Sequence, residues 1–370
     1  MKEIGSFYEL NTQQILDEQH HISEELFSLA EVEKYKKKNV CYTSSGRDAI
    51  LLALKSIEKN YPLIKKKCLM PAYMCDSVFI PFEIAGWELI FYHVDKGFRA
   101  DCRSAEELLI EHCPGMVFVH PYYGMDTCDN MWNMLQPYRD HGLLVMEDVT
   151  QAYYLEADKV KADFIIGSIR KWYAIPDGGF LACDDNIATE CVGESDAGFI
   201  ERRLDVMQRK YQYLSNGTAD KQFFLQDNRA LEHQMDEFDR VQAISRVTML
   251  LLSETEESSE KNKRCDNYGY LNQNLPDCIK FPAMSYDANE DCTGLYYPIY
   301  LENRETVQKR LIENGIYAPV LWPIGEQNEN CLSKEEQLIF DHMLALPIDQ
   351  RYNIEDMKRI VQVLSEAVRG

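Results

Sequence analysis

The sequence lacks the features that mark membrane and secreted proteins. Its longest apolar runs, such as TMLLL at 248–252, are far too short to cross a bilayer. The first residues, MKEIGSFYELNTQ, lack the basic start and the apolar centre of a secretory signal. These absences predict a cytoplasmic protein that has no membrane-spanning segment.

Positive charge is also scarce in this chain. There are 39 lysine and arginine residues against 61 acidic residues, which gives a formal net charge of -22. Such a surface repels the phosphates of nucleic acids and of anionic membranes, so we expect neither as a partner. A local basic pocket for a small anion is still compatible with this charge.

Paired cysteines are missing as well. The chain has twelve cysteines and eight histidines, but no Cys-x-x-Cys spacing. In a large cytosolic chain, scattered cysteines of this kind are usually reduced and buried. We therefore expect neither a disulfide framework nor a metal site.

What the sequence does contain is a regular alternation of short apolar segments and amphipathic segments up to about residue 185. This pattern predicts a three-layer α/β/α large domain with a mostly parallel sheet. The strand candidates are 39–43, 67–71, 87–94, 115–120, 143–148, 163–168 and 179–183, and the helix candidates are 46–60, 75–86, 104–113 and 129–142.

The pattern changes towards the C-terminus. Strand candidates at 295–301 and 316–322 flank a helix candidate at 303–315, and a last helix is predicted over 353–368. This tail predicts a smaller α+β domain. We place the large domain, including an N-terminal arm, at residues 1–265 and the small domain at residues 266–370.

Ligands of open α/β sheets gather at the carboxyl ends of strands, and the first such end here is TSSGRDAI at 43–50. A short hydroxyl-rich turn opens directly into a helix, whose N-terminus favours an anion. Ser45 and Gly46 would let a phosphate approach closely, and Arg47 would add positive charge. The alternative is an ordinary helix start that is capped by Ser45.

The second strand end is LLVMEDVTQAYY at 143–154, which carries two adjacent acids. Neighbouring strand side chains point to opposite faces, so either Glu147 or Asp148 should face the ligand crevice. A carboxylate there can keep a proton on a ring nitrogen of a ligand. The alternative role is to cap the following helix.

The third strand end is GSIRKWYAIPDGGFLA at 167–182. Ser168 and Lys171 follow the strand, and Gly178 and Gly179 permit a close backbone approach before the next one. A lysine in an apolar pocket or beside a cation loses proton affinity and becomes a nucleophile. An exposed lysine is the alternative for Lys171 taken singly, but a phosphate seat, an acid and a lysine in this order favour a reactive amine.

This ordered set resembles the fold-type I pyridoxal-phosphate (PLP) enzymes of the aspartate aminotransferase superfamily. Within that group the chain is most similar to the DegT/DnrJ-type nucleotide-sugar aminotransferases, from about residue 38 to the C-terminus. The resemblance rests on SSGRDAILLAL (44–54), MPAYMCDSV (70–78), VHPYYG (119–124), VMEDVTQAYY (145–154), RKWYAIPDGG (170–179) and LPIDQRYNIEDMKRI (346–360).

The resemblance implies two catalytic residues. Lys171 would form the Schiff base with the PLP aldehyde, and Asp148 would pair with the pyridinium nitrogen. Gln151 would lie near the phenolic oxygen of the cofactor.

Further residues would hold the cofactor and the substrate. Ser45, Gly46, Arg47 and Ser168 would bind the phosphate. Tyr73 is expected to cover the ring, with Cys75 as the alternative position. His120 and Tyr122 follow a strand end, where they either line the substrate cleft or serve in packing.

The implied activity is amino transfer from a glutamate-like amino acid to a keto-sugar nucleotide or a related keto substrate, with ping-pong kinetics. The resemblance also implies a homodimer whose active site lies at the interface. The alternatives are another PLP-dependent reaction on the same fold, such as that of a lyase, decarboxylase or acyltransferase, and a non-catalytic PLP-binding regulatory protein.

Overall fold

The structure is a computed structural model that describes residues 2–12, 27–237, 239–281, 293–325 and 328–369. The strands are β1 Ile4–Gly5, β2 Asn39–Thr43, β3 Lys67–Pro71, β4 Glu88–Tyr92, β5 Met116–Val119, β6 Leu144–Asp148, β7 Phe164–Ser168, β8 Gly179–Cys183, β9 Val192–Gly193, β10 Val241–Gln242, β11 Tyr296–Tyr300, β12 Ile316–Tyr317 and β13 Met343–Pro347. The helices are α1 Ala30–Glu33, α2 Gly46–Asn60, α3 Ile80–Ile84, α4 Cys102–His112, α5 Asp129–Arg139, α6 Ala197–Asn216, α7 Lys221–Gln234, α8 Arg246–Ser253, α9 Glu257–Asn274, α10 Arg304–Glu313, α11 Lys334–His342 and α12 Ile354–Arg369.

The central sheet has seven strands in the order β2-β8-β7-β6-β5-β3-β4. Strand β8 runs antiparallel to both β2 and β7, while the other neighbouring pairs are parallel. The expected α/β fold with a mostly parallel sheet is therefore confirmed. The carboxyl ends of β5, β6 and β7 meet at one edge, where the predicted site residues follow.

Helix α2 shows why the local sequence folds as predicted. Ser45 caps it by accepting a hydrogen bond from the backbone N–H of Asp48 at 3.2 Å. Leu51, Leu54 and Ile57 of this helix are fully buried in the core on one face of the sheet. Burial of each such side chain stabilises the fold by roughly 1.5–3 kcal/mol, so the helix is held by packing as well as by its cap.

The C-terminal part differs from its predicted pattern in one strand. The segment 316–322 forms a strand only at Ile316–Tyr317, and this short strand pairs with β1 instead of joining β11. Pro319 interrupts the segment and Pro323 follows it directly, and proline cannot donate a hydrogen bond to a strand ladder. The strand that pairs with β11, antiparallel, is β13.

The division at residues 265 and 266 falls inside helix α9, which continues across it. The two-domain boundary therefore stays a prediction. Within the described residues, no helix is long and apolar enough to cross a membrane. The eleven cysteines that the structure describes are all free thiols.

Candidate active site

Backbone contacts join the first and third strand ends into one unit. The N–H of Gly178 donates to the carbonyl of Ser44 at 2.6 Å, and the N–H of Ile169 donates to the carbonyl of Gly178 at 2.9 Å. A Cβ atom at Gly179 would lie 2.3 Å from the carbonyl oxygen of Ser45. Only glycine permits this approach, which explains the Gly-Gly pair after the lysine turn.

The expected phosphate seat forms where helix α2 begins. A Cβ atom at Gly46 would lie only 3.2 Å from the Cβ of Ser168, so the start of α2 touches the end of β7. The hydroxyl of Ser45 donates to the carboxylate of Asp48 at 2.5 Å and caps the helix. Ser45 thus has the capping role that was its alternative. A phosphate bound there would accept hydrogen bonds from the backbone of this turn and from the hydroxyl of Ser168.

Arg47 extends from the first turn of α2 towards the segment after α7. One of its terminal nitrogens lies 2.5 Å from a carboxylate oxygen of Asp236, and its side chain is mostly buried. Its Nε has no hydrogen-bond partner among the described residues. This guanidinium therefore supplies positive charge beside the helix start and is partly neutralised by Asp236.

Asp148, the last residue of β6, and His120, which directly follows β5, face each other. In the β5–β6 register Val119 stands opposite Glu147, which places His120 and Asp148 level with each other on the next position. Nδ1 of His120 lies 3.4 Å from a carboxylate oxygen of Asp148, and both residues are buried. The structure thus brings Asp148 and His120 together.

The carboxylate of Asp148 stays ionised although it is buried. Burial opposes its ionisation, but the contacts with His120 and Thr150 outweigh burial, so the pKa of Asp148 lies below its usual value. The backbone N–H of Thr150 donates to Asp148 at 2.9 Å, and the hydroxyl of Thr150 accepts from the N–H of Ser168 at 2.9 Å. Thr150, which the sequence analysis did not single out, thus connects the ends of β6 and β7.

Gln151 follows in the same turn and is buried. Its carboxamide oxygen accepts a hydrogen bond from the backbone N–H of Tyr123 at 3.1 Å. This bond orients the side chain and leaves the NH2 group of the amide to serve another acceptor.

Lys171 ends the short turn after β7 and is partly buried. Burial lowers the pKa of its amine; Arg170 and Arg47 act in the same direction, whereas Cys75 and Asp148 oppose it. A larger fraction of this amine is therefore neutral than in an ordinary surface lysine, which is the state a nucleophile needs.

The structure places Tyr73 inside an aromatic cluster. Its ring is fully buried and packs against Trp322 and Phe340 with centroids 5.3 Å and 4.9 Å away, and its hydroxyl donates to the carbonyl of Leu321. Cys75 is partly exposed. The enclosure of Tyr73 disfavours it as the residue that covers a ring, and the choice between Tyr73 and Cys75 stays a prediction.

The predicted substrate residues His120 and Tyr122 are both buried. Their rings meet edge to face at 4.7 Å, and the hydroxyl of Tyr122 donates to the carbonyl of Tyr73 at 2.5 Å. Neither residue lines the cavity onto which Lys171 opens. Their predicted role in substrate binding stays a prediction, and their contacts favour packing and the positioning of Asp148.

A cavity of about 610 Å³ opens beside Lys171. The N-terminal segment 3–8, helices α6 and α7 and parts of the C-terminal region line it. At the Lys171 end, Arg170, Arg203 and Glu232 are in its wall. Lys171 thus lies between the residues at the ends of β6 and β7 and a space that is large enough for a small-molecule substrate.

The sequence analysis missed Arg170, Arg203 and Glu232 as parts of this site. Arg203 and Glu232 lie in helices α6 and α7, in which the sequence analysis singled out no functional residue. Arg170 stood directly before the candidate lysine, and that adjacency was the one available signal.

The family comparison agrees with this geometry. The model of the DegT/DnrJ/EryC1/StrS aminotransferase family matches residues 23–365, which is most of the chain. The chain belongs to that family. The expected resemblance and the expected class of enzyme, an aminotransferase, are thereby confirmed. No curated protein sequence matches this chain.

Solved structures of low sequence identity share the fold. PseC from Helicobacter pylori, an aminotransferase involved in the biosynthesis of pseudoaminic acid, has a TM-score of 0.68 with 15% identity, covering 100% of this chain and 100% of its own. An aminotransferase of the same family from Brucella abortus has a TM-score of 0.66 with 15% identity, covering 97% of this chain and 94% of its own. Spr1654 from Streptococcus pneumoniae, in its PLP form, has a TM-score of 0.66 with 13% identity, covering 100% of this chain and 98% of its own.

Proposed function

We propose that this aminotransferase uses PLP, with Lys171 as the residue that binds the cofactor aldehyde covalently as a Schiff base and Asp148 as the partner of its ring nitrogen. The observation that carries the proposal is the pairing of a lysine of lowered pKa with a buried, ionised aspartate at the ends of two adjacent strands. The family membership and the solved PLP and PMP forms of Spr1654 support the choice of cofactor.

The residues at this edge of the sheet fit PLP. The start of α2 with Gly46, Arg47 and Ser168 offers backbone N–H groups, a hydroxyl and a positive charge to a phosphate. Asp148 offers an ionised carboxylate to a protonated ring nitrogen. Tyr73 or Cys75 would contact the ring, and Gln151 would contact its phenolic oxygen.

When bound, PLP supplies an electron sink for the charge that develops on the substrate carbon. Asp148 holds the proton on the ring nitrogen, because a nearby negative charge favours the protonated form. His120 keeps the carboxylate of Asp148 ionised and in place. The neutral amine of Lys171, when it is not bound to the cofactor, would act as the general base that takes the proton from the substrate carbon and would deliver it to the carbon of the cofactor's former aldehyde group.

We further propose that the amino donor is a glutamate-like amino acid and that the acceptor is a keto-sugar nucleotide or a related keto compound. The similarity to PseC, which acts in the biosynthesis of pseudoaminic acid, and to the sugar aminotransferase Spr1654 supports a sugar-derived acceptor. The two half-reactions share one cavity, so ping-pong kinetics are expected. A homodimer with the site at its interface and a cytoplasmic location are also part of the proposal.

Borohydride reduction of the PLP-loaded protein tests the central assignment. Peptide mapping by mass spectrometry is expected to recover the reduced cofactor on Lys171. Recovery on another lysine, or on none, would contradict it. In a separate sample that has not been reduced, incubation with L-glutamate should form PMP and 2-oxoglutarate in equal amounts, whereas a lyase or a decarboxylase would release other products. Sedimentation of the active protein tests the dimer.

A further inference from the structure

The cavity beside Lys171 has a charge opposite to that of the whole protein. The chain carries a net charge of -22, yet among the described residues eight lysine and arginine side chains line the cavity against three acidic ones. Low-dielectric walls lined by one sign of charge concentrate the opposite sign in the space between them. The cavity is therefore suited to a negatively charged small molecule.

The excess charge nearest Lys171 belongs to two arginines that share one carboxylate. Arg170 binds Glu232 through both terminal nitrogens, at 3.1 Å and 2.9 Å. Arg203 lies 2.9 Å from the same carboxylate and donates to the side-chain oxygen of Asn228 at 2.8 Å. Two cations against one anion leave this group with a net positive charge.

This excess charge lies in a poorly solvated place. Arg203 is only 4% exposed, and burial lowers its pKa to about 10 in spite of Glu232. The Nε groups of both Arg170 and Arg203 have no hydrogen-bond partner in the part of the chain that the structure describes. Buried cations without full compensation are costly, and a second anion would relieve that cost.

Arg170 precedes Lys171 directly, and both residues line the cavity. The residues that fit the cofactor (Gly46, Asp148 and Ser168) do not line it. A substrate that enters through the cavity would therefore meet Arg170 while its reacting atom is close to the amine of Lys171.

We propose that Arg170, supported by Arg203, binds an oxyanion of the substrate, either a carboxylate of the amino donor or a phosphate of the acceptor. The inference rests on the proposed function in taking Lys171 as the reacting amine. Glu232 holds the two guanidinium groups in position and competes with the incoming anion. An arginine forms paired hydrogen bonds with both carboxylate and phosphate, so both sources share one chemistry.

Isothermal titration calorimetry of the PLP-loaded protein tests this subsite without turnover. Glutarate serves as the carboxylate probe and UDP as the phosphate probe. Arg170→Gln is expected to weaken the binding of one or both probes by about 10- to 100-fold, and Arg170→Lys by less, because lysine keeps the charge but loses the fork. Loss with glutarate alone identifies the donor carboxylate, and loss with UDP alone identifies the acceptor phosphate.

Arg229→Gln is the matched control, because Arg229 lies on the same cavity but is exposed. It is expected to change binding by less than about twofold. Glu232→Gln removes the competing carboxylate and should tighten binding. If Arg170→Gln does not fold, Arg170→Lys and Glu232→Gln still decide the question.

The proposal is overturned if neither probe binds the unchanged protein at millimolar concentration. It is also overturned if Arg170→Gln and Arg170→Lys bind both probes with the same affinity as the unchanged protein. Equal weakening by Arg229→Gln, or weaker binding by Glu232→Gln, also overturns it. A protein that binds the probes through Arg170 but forms no PMP from any amino acid would contradict only the proposed function.

Discussion

Glu147 and Asp148 are adjacent on β6, yet the two faces of the sheet give them opposite properties. Asp148 faces His120 and Thr150, and its pKa lies below the usual value. Glu147 stands between Val119 and Ile165 in the strand register. Among the described residues, only the backbone N–H groups of Lys161 and Ala162 act on its carboxyl group as hydrogen-bond donors, and their contacts are not close enough to form well-aligned bonds.

Burial raises the pKa of Glu147 to about 8. At neutral pH it is therefore mostly protonated, while its neighbour carries a negative charge. Both acids are almost fully buried, so burial alone does not separate them. The difference lies in the neighbouring groups. His120 and Thr150 favour the charged form of Asp148, whereas the negative charges of Asp126 and Asp148 oppose the ionisation of Glu147. Only the ionised acid can keep a ring nitrogen protonated.

The largest effect is expected when the amine of Lys171 is removed. Lys171→Ala should lower the rate of amino transfer by at least about 1,000-fold, because both the covalent attachment and the proton transfer are lost. A steady-state assay with L-glutamate as the amino donor measures this rate. Lys161→Ala changes an exposed lysine and should leave the rate unchanged. Activity of Lys171→Ala near that of the control would rule out the mechanism.

The next prediction tests the difference between the two acids directly by replacing each of them. Asp148→Asn should reduce the rate by about 100- to 1,000-fold, because an amide cannot stabilise a protonated ring nitrogen electrostatically. Glu147→Gln should stay within about threefold of the unchanged protein, since the protonated acid and the amide are both neutral. Equal losses in the two variants would show that the faces are not functionally distinct.

The pH dependence of the free energy of unfolding tests the expected protonation of Glu147. The folded pKa of about 8 exceeds the unfolded value, so the folded state binds the extra proton between these values. Stability of the unchanged protein should thus fall as pH rises from about 5 to 8, by at most about 4 kcal/mol from this residue. The Glu147→Gln side chain does not titrate, so this variant avoids that loss. Its free energy of unfolding should therefore increase relative to that of the unchanged protein as the pH rises.

Urea unfolding of Glu147→Gln and of the unchanged protein at pH 5, 6.5 and 8 measures this difference. A constant difference between the two proteins across that range would mean that Glu147 does not titrate there. Asp148→Asn should show no gain of this kind at pH 8, since Asp148 is already ionised at pH 5 in both states.

The smallest expected effect concerns His120. His120→Phe keeps an aromatic ring but removes the group that helps to hold the pKa of Asp148 low. The pKa of Asp148 should rise, so the acid limb of the activity profile should move to higher pH, with up to about tenfold lower activity on that limb for each unit of the rise, while activity at pH 8 changes little. The acid limb of the kcat profile reports this. A uniform loss at every pH would indicate a packing role alone.

Much of the large domain could be predicted from local pattern. Helix α2 forms over residues 46–60 as expected, and strands β2, β3 and β8 have their predicted bounds. These elements depend on short-range periodicity and on caps such as Ser45. The strand predicted over 316–322 was wrong beyond Tyr317, because β1, a distant segment, decides its pairing.

The candidate site was only partly predictable. Sequence order identified Lys171 and left Glu147 and Asp148 as alternatives until the resemblance favoured Asp148. It did not reveal that Glu232, 61 positions after Lys171 by residue number, pairs with Arg170. Nor did it show that Tyr73 is enclosed by Trp322 and Phe340, because these contacts join segments far apart in the chain.

The amino-acid sequence by itself determined the order of the three strand ends, the helix that opens after Ser45 and the family to which the chain belongs. Those features follow from neighbouring residues and short motifs. Only the tertiary structure decided which acid is ionised, which amine is partly neutral and which cations surround the cavity. Burial and partners set a pKa, and residues distant in sequence supply both.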